Sequence, residues 1–114
     1  MTEMECIFCK IAAKEMKASV VLETDNVVVI NDISPQAPAH MLAIPKKHYK
    51  TILECKDTAL LGELIEAGVS AARKAGVTQT GFRLAINTNE EGGQTVWHLH
   101  MHILGGRPLA GRLG

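Results

Sequence analysis

The sequence has few aromatic residues, no excess of either charge and no long apolar run. Phe, Tyr and Trp make up 4% of its 114 residues, and 12 Lys and Arg balance 12 Asp and Glu. Without a basic excess, the chain lacks the charge pattern of a dedicated DNA- or RNA-binding protein. Apolar runs such as 27–30 and 41–44 fall far below the roughly 18 residues of a membrane-spanning helix. We therefore expect neither a nucleic-acid nor a membrane partner.

Cysteine is also scarce, with only Cys6, Cys9 and Cys55 present. An odd number of cysteines without a recognisable signal peptide argues against a disulfide scaffold and predicts a cytoplasmic protein. The length and the apolar content of 46% are typical of one globular domain, expected over 1–114 with an irregular tail over 105–114.

Segments rich in β-branched and apolar residues, separated by turn residues, predict a sheet. No regular alternation of strand and helix is present, so we predict a mostly antiparallel sheet in an α+β fold. The five predicted strands cover 20–23, 27–32, 40–44, 82–87 and 97–104.

Two helices are predicted, a short one over 7–14 and a long one over 58–75. Asp57 is a suitable N-cap for the long helix, and Gly76 follows its expected end. Small residues at 68, 71 and 72 would let another element approach closely. Three- and four-residue steps predict an apolar face formed by Leu61, Leu64, Ile65, Gly68, Ala72 and Ala75.

The segment 97–104 carries three of the five histidines of the chain. On a strand, successive side chains point to opposite faces, so His98, His100 and His102 would form a row about 6.5 Å apart. The intervening apolar residues would anchor the strand in the core. Such a row suits metal ligation, nucleophilic and acid–base chemistry, or simply a solvated polar face.

The loop before this row contains Gly92, Gly93, Gln94 and Thr95. Glycines allow backbone N–H groups to approach an anion, and the Gln and Thr side chains add donors. A phosphate beside the histidine row is the natural ligand for this loop. The alternative is an ordinary flexible loop.

The alternation of histidine and apolar residues over 98–103 resembles the signature of the histidine-triad (HIT) superfamily. The segments 32–40, 44–48, 92–95 and 104–107 are similar to its Hint-like branch, so the resemblance covers about Cys6 to Arg107. It implies a HIT-like fold with a five-stranded sheet, one long helix and one short helix.

The resemblance also implies a reaction. Hint-like proteins cleave purine nucleoside 5′-phosphoramidates, derivatives of AMP or GMP, through a nucleotidyl-histidine and release the nucleoside monophosphate. His100 would be the nucleophile, His102 would donate to a phosphate oxygen, and His40 would support them. Thr95 is a further catalytic candidate, because it stands where the family often has Ser and keeps the hydroxyl.

Three other functions stay open at this point. One is a dinucleoside-polyphosphate hydrolase, and another is a nucleotide-binding regulatory module with little turnover. The third is a metal-dependent hydrolase that uses all three triad histidines as ligands.

The same resemblance implies a set of nucleotide contacts. Asp32 would accept the ribose hydroxyls, although it could instead cap Ser34. Phe8, Ile11, Ile30 and Leu42 would line a base pocket, or equally be core residues. The remaining predicted nucleotide contacts are Ile33, Asn87, Gly93, Gln94, Thr95, His100 and His102.

Some Hint-like proteins carry a structural zinc, which would here be held by Cys6, Cys9, His48 and His98. The alternative is two small buried thiols. The resemblance implies that this zinc is not required for the chemical step and that no organic cofactor is used. It also implies a homodimer in which the long helices and one strand of each chain meet.

Overall fold

The computed structural model describes residues 6–109, and its sheet is fully antiparallel. The spatial order of the five strands is β1-β2-β3-β5-β4. This arrangement confirms the predicted α+β fold. The elements along the described residues are α1 (Ile7–Ala12), β1 (Val20–Glu23), β2 (Val27–Asn31), β3 (Ala39–Pro45), α2 (Thr58–Lys74), β4 (Phe82–Ala85) and β5 (Met101–Gly105), with a short 3₁₀ helix at Ile52–Glu54 between β3 and α2.

The two faces of the sheet are covered differently. The long helix α2 packs on one face and forms the main core with side chains such as Val29, Met101 and Ile103. The short helix α1 packs on the other face over a smaller cluster that includes Ile44. Strand β3 lies at the centre of the sheet, and its residues 40–45 are buried. No helix among the described residues is long and apolar enough to cross a membrane.

Helix α2 begins where predicted, because the Asp57 side chain accepts a hydrogen bond from the Leu60 N–H. Its buried face is shifted from the predicted one, since Ile65 is 43% exposed and Ala75 is also exposed. The prediction for these two residues was wrong because the stripe that meets the sheet starts one position earlier. The buried residues are Leu60, Leu64, Ala67, Gly68, Ala71 and Ala72.

The small residues of α2 serve packing within the chain. A Cβ atom on Gly68 would collide with the Met101 side chain and lie 3.4 Å from Leu84 Cδ2. Close approach to this helix is therefore made by β4 and β5 of the same chain. These small residues give no support to the predicted dimer, which stays a prediction.

The last strand was predicted too long at its start. Its pairing with β3 ends at Ala43 and Met101, so residues 97–100 lie outside the ladder. They are held instead by a 2.7 Å bond from the Leu99 N–H to the Tyr49 carbonyl. Leu99 is nevertheless buried in the main core, so the alternation of faces continues beyond the paired strand.

Other boundaries differ by a few residues. Strand β4 ends at Ala85 because its pairing with β5 ends there, opposite His102. Helix α1 ends at Ala12. The irregular tail begins one residue later than predicted, since Gly105 still belongs to β5. Residues 1–5 and 110–114 of the predicted domain lie outside the described residues.

Candidate active site

His100 lies at the centre of the site, directly before β5. Its Nδ1 is 2.7 Å from the carbonyl oxygen of His98. A carbonyl only accepts, so Nδ1 carries the proton and Nε2 keeps its lone pair. His100 is 6% exposed, and this burial lowers its pKa. The side chain is thus a neutral imidazole with one nucleophilic nitrogen, and Phe8 packs edge-on against it with ring centroids 5.1 Å apart.

His102 and His40 form a hydrogen-bond chain beside it. The backbone N–H of Gln36 donates to His40 Nδ1 at 3.0 Å, so the proton of the neutral His40 ring resides on Nε2. That N–H faces His102 Nδ1 at 2.9 Å. His102 consequently accepts at Nδ1 and carries its own proton on Nε2. Burial, followed by the neighbouring His100 and His40, lowers the pKa of His102 to about 4.

Asp32 joins this chain from the end of β2. Its Oδ1 accepts the Ser34 N–H at 2.7 Å, which is the capping contact expected as the alternative role. Its Oδ2 lies 3.4 Å from His40 Nε2. Because the carboxylate caps Ser34 with one oxygen, the second oxygen remains directed towards the histidines. The predicted ribose contact stays a prediction.

A cleft of about 330 Å³ opens in front of His100 and His102. Phe8, Ile11, Ile30 and Leu42 belong to the smaller core cluster and also line this cleft. Their predicted core role is confirmed, and the predicted base pocket stays a prediction. Ile33, 95% exposed, stands at the rim. The cleft therefore combines an apolar wall with polar groups, as small-molecule sites do. Its polar lining includes Asp32, Thr95, His100 and His102.

The glycine-containing loop is built around Gln94. The Gln94 Nε2 group donates to the carbonyls of Lys50 and Val96, and Oε1 accepts from the Asn89 N–H. Gln94 is 6% exposed, so its side chain holds the loop together. Gly93 adopts a φ of 82°, a conformation that favours glycine. The nucleotide contacts predicted for Gly93 and Gln94 stay predictions.

Asn87 and Thr95 lie on different sides of His102. Thr95 is exposed and lines the 330 Å³ cleft. Asn87 lines a second, more open depression with Gln36, His40 and His102. A substrate that spans both sides would thus place its reacting centre near His102.

The four residues predicted to hold zinc come together behind His100. Cys6 Sγ lies 3.3 Å from His98 Nδ1, and Cys9 Sγ lies 3.2 Å from His48 Nδ1. The two Nδ1 atoms are 3.1 Å apart, and all four ligand atoms lie within 4.8 Å of one another. Hence one ion could contact all four side chains.

The chemistry of this cluster fits zinc. Zinc bonds of about 2.0–2.1 Å to nitrogen and 2.3 Å to sulfur place tetrahedral ligand atoms roughly 3.3 to 3.8 Å apart. The observed separations of 3.1 to 3.4 Å are close to that range. His98 Nε2 donates to the Pro45 carbonyl at 2.7 Å, which leaves the Nδ1 lone pair facing the cysteines. The His98 ring is therefore already in the tautomer that a metal ligand needs, with an unprotonated Nδ1.

The triad histidines do not converge on one metal ion. His98 Nδ1 faces the two cysteines, whereas His100 Nδ1 bonds to a backbone carbonyl. His40 Nε2, beside His102, carries a proton where a metal ligand would need a lone pair. This geometry argues against the metal-dependent hydrolase in which all three triad histidines are ligands.

Three positioning contacts were not predicted from the sequence. They are the Gln36 N–H to His40, the Pro45 carbonyl to His98, and the Tyr49 carbonyl to Leu99. All three use backbone atoms, which leave no residue-type signal. The prolines at 35 and 38 indicated only that a loop precedes His40.

Comparison with known proteins identifies the family of this chain. The HIT domain family profile matches residues 13–109. The chain belongs to the HIT domain family. It is 43% identical over 107 residues to the purine nucleoside phosphoramidase of Escherichia coli K12, covering 92% of this chain and 90% of that protein.

Solved structures of HIT proteins share the fold. A histidine triad protein from Clostridium difficile superposes with a TM-score of 0.93 and 41% identity, covering 98% of this chain and 99% of that one. A HIT family hydrolase from Legionella pneumophila superposes with a TM-score of 0.92 and 44% identity, covering 96% and 100%. The HIT-like fold predicted from the motifs is thus confirmed.

Proposed function

We propose that this HIT protein hydrolyses purine nucleoside 5′-phosphoramidates, releasing the amine and the nucleoside monophosphate. The observation that carries the proposal is the 2.7 Å bond from His100 Nδ1 to the His98 carbonyl, which leaves Nε2 nucleophilic at the cleft. The relative from E. coli, named a purine nucleoside phosphoramidase, supports the substrate class.

The first step uses the free nitrogen of His100. Nε2 attacks the α-phosphorus and forms a P–N bond while the bond from phosphorus to the leaving amine breaks. The departing nitrogen takes a proton from solvent and leaves as the amine, while the His102 Nε2–H donates a hydrogen bond to a phosphate oxygen. The Thr95 hydroxyl, at the same cleft, donates to the phosphate oxygens or the leaving group. Dividing the displacement into two steps lowers the barrier of each.

Water completes the reaction in a second step. It attacks the phosphorus of the nucleotidyl-histidine, and the bond to His100 Nε2 breaks. The proton of this water passes to solvent and replaces the one taken up in the first step, so His100 returns to its neutral form and His102 keeps its Nε2 proton throughout. His40 keeps His102 in the required tautomer through its Nε2–H, which acts as a hydrogen-bond donor throughout.

The apolar wall and the polar groups of the cleft recognise different parts of the nucleotide. The apolar wall formed around Phe8 suits a purine base, with Ile33 bordering it. The Asp32 carboxylate suits the ribose, because it can accept a hydrogen bond from each of the two ribose hydroxyls. Asn87, Gly93 and Gln94 complete the predicted contacts to the ribose and phosphate.

A zinc ion held by Cys6, Cys9, His48 and His98 would have a structural role. It would tie α1 to the segment that carries His100 and add no group to the reacting phosphate. We further infer a homodimer, as the family resemblance implies, and a cytoplasmic location.

The test is to trap the intermediate on His100. Rapid mixing with adenosine 5′-phosphoramidate, followed by mass spectrometry of the quenched protein, should show a nucleoside monophosphate adduct on the His100 peptide. The His100→Ala variant should lose at least about 10³-fold in turnover, as nucleophile deletions do, and should show no adduct.

The control for this test is His100→Asn, which retains a side-chain donor for the His98 carbonyl and should fold with the same circular dichroism. A panel with guanosine phosphoramidate and diadenosine polyphosphates compares substrate classes. Undiminished turnover in either variant, or faster turnover of the polyphosphates, would contradict the proposal.

A further inference from the structure

The four candidate zinc ligands Cys6, Cys9, His48 and His98 form a candidate metal-binding cluster. Its two cysteines differ in their access to solvent. Cys6 is 0% exposed, whereas Cys9 is half-buried. They lie on one turn at the start of α1, where the Cys9 N–H points at Cys6 Sγ at 3.4 Å. A Cys-x-x-Cys pair on one turn is a spacing that closes readily into a disulfide. The exposure difference assigns the reactive position to Cys9 and the resolving position to Cys6.

An open groove of about 650 Å³ leads to Cys9 from outside the active-site cleft. Lys10, Lys46 and Lys47 line it, with Glu15 as the acidic residue in the lining. Lys46 is paired with Glu23, so Lys10 and Lys47 supply the positive charge that outweighs Glu15. Such a groove favours an anionic molecule of small-peptide size.

We propose that Cys6 and Cys9 form a thiol–disulfide switch that is operated by an anionic low-molecular-weight disulfide bound in this groove. The Cys9 thiolate attacks one sulfur of that disulfide, its S–S bond breaks, and one thiolate leaves. The Cys6 thiolate then attacks Cys9 Sγ, and the second thiolate leaves. The cysteines lose two electrons, and the added disulfide gains them as two thiolates.

Oxidation of the two cysteines changes the candidate metal-binding cluster, and through it the active site around His100. A Cys6–Cys9 disulfide would remove two of the four donors, so the cluster could no longer hold a metal ion. His98 would then lack a cation at Nδ1, and His98 is the residue whose carbonyl holds His100 at 2.7 Å. Phe8, between the two cysteines, packs against the same His100 ring. Oxidation should therefore lower turnover by about 10-fold or more, as loss of supporting contacts does.

The chemical part of this proposal is independent of the proposed function, and only its effect on turnover rests on it. Zinc-loaded protein is treated with glutathione disulfide, and zinc release is followed with a chromogenic chelator. Peptide mass spectrometry should show the Cys6–Cys9 disulfide and unmodified Cys55, which is buried elsewhere. Retention of zinc with both thiols reduced, under conditions that oxidise free cysteine, would overturn the proposal.

The role of the groove is tested by charge reversal. The double variant Lys10→Glu, Lys47→Glu should slow oxidation by glutathione disulfide about tenfold, and added salt should reduce the difference. Its oxidation by the neutral bis(2-hydroxyethyl) disulfide should be unchanged. Lys56→Glu, at an exposed lysine outside the groove, is the matched control. If the double variant and the control are oxidised at equal rates by each of the two disulfides, the groove does not select an anionic disulfide and this part of the proposal is wrong.

Turnover of adenosine phosphoramidate separates the two proposals. If the disulfide forms and zinc leaves while turnover is unchanged, the link between switch and site is wrong. If the disulfide forms and neither the reduced nor the oxidised protein cleaves any phosphoramidate, the proposed function is wrong and the switch stands. Reduction with dithiothreitol and added zinc should restore the original zinc content.

Discussion

Two clusters of histidines flank His100, and they differ in which atoms lie between their rings. In the candidate metal-binding cluster, the Nδ1 lone pair of His98 faces two thiols and another imidazole. In the second cluster, formed by Asp32, His40 and His102, the His40 Nε2 proton lies between the rings. The first arrangement suits a cation and the second a hydrogen-bond chain. The difference arises from the backbone atom that each ring contacts.

The ring contacts make this comparison specific. His98 donates through Nε2 to the Pro45 carbonyl, so its lone pair is on Nδ1. His40 accepts at Nδ1 from the Gln36 N–H, so its proton is on Nε2. A backbone carbonyl at His98 and a backbone N–H at His40 therefore select different tautomers of the same side chain, and each tautomer suits a different chemistry.

The largest effect is expected from removing the thiols. The double variant Cys6→Ser, Cys9→Ser should fall from about one zinc ion per chain to nearly none. Its melting temperature should drop by about 10 °C or more, because a bound structural metal stabilises the folded state. Elemental analysis and thermal unfolding measure both quantities.

The matched control for this variant is His40→Asn in the second cluster, which should keep its zinc. Equal zinc content in the double cysteine variant and the wild type would show that the two clusters do not differ as described. Loss of zinc from His40→Asn would show that the second cluster also contributes to zinc binding, which contradicts the comparison.

An intermediate effect is expected from breaking the hydrogen-bond chain. His40→Phe removes the Nε2–H that holds the His102 tautomer, so kcat should fall about 10- to 100-fold with the zinc content unchanged. His40→Gln offers an amide donor and should recover part of the loss. Steady-state kinetics with adenosine phosphoramidate provide the measurement, and equal kcat values for Phe and Gln would refute the donor role.

The smallest effect is a pH dependence of stability at His102. Its pKa of about 4 in the folded protein lies below the ordinary histidine value of 6.5, so between these values the unfolded chain binds more protons. The contribution is complete above pH 6.5 and is lost as the pH falls towards 4. It amounts to at most about 1.4 kcal/mol per pH unit for one group.

His102→Gln removes this titration while keeping an acceptor for His40. The free energy of unfolding, measured by urea titration from pH 7 to pH 4, should therefore fall less steeply in the variant than in the wild type. Parallel curves would show that His102 does not titrate differently in the folded and unfolded states.

Much of the fold was predictable because its signals are local. The Asp57 cap, the strands around the turn at 24–26 and the apolar alternation at 99, 101 and 103 depend on near neighbours in the chain. The boundaries at Met101 and Ala85 were not predictable in this way, because a strand ends where its partner ends. The buried stripe of α2 was misplaced for a similar reason, since the sheet selects which apolar residues it contacts.

The sequence by itself determined the chemical groups of this protein: the alternating histidines, the Cys-x-x-Cys pair and the glycine-containing loop. Residue type and spacing carry that information, and they also sufficed for the family. Only the tertiary structure decided the tautomer of each imidazole and the access to each thiol. Those properties depend on carbonyl and N–H groups brought in from distant segments, and every residue except proline offers the same pair of groups.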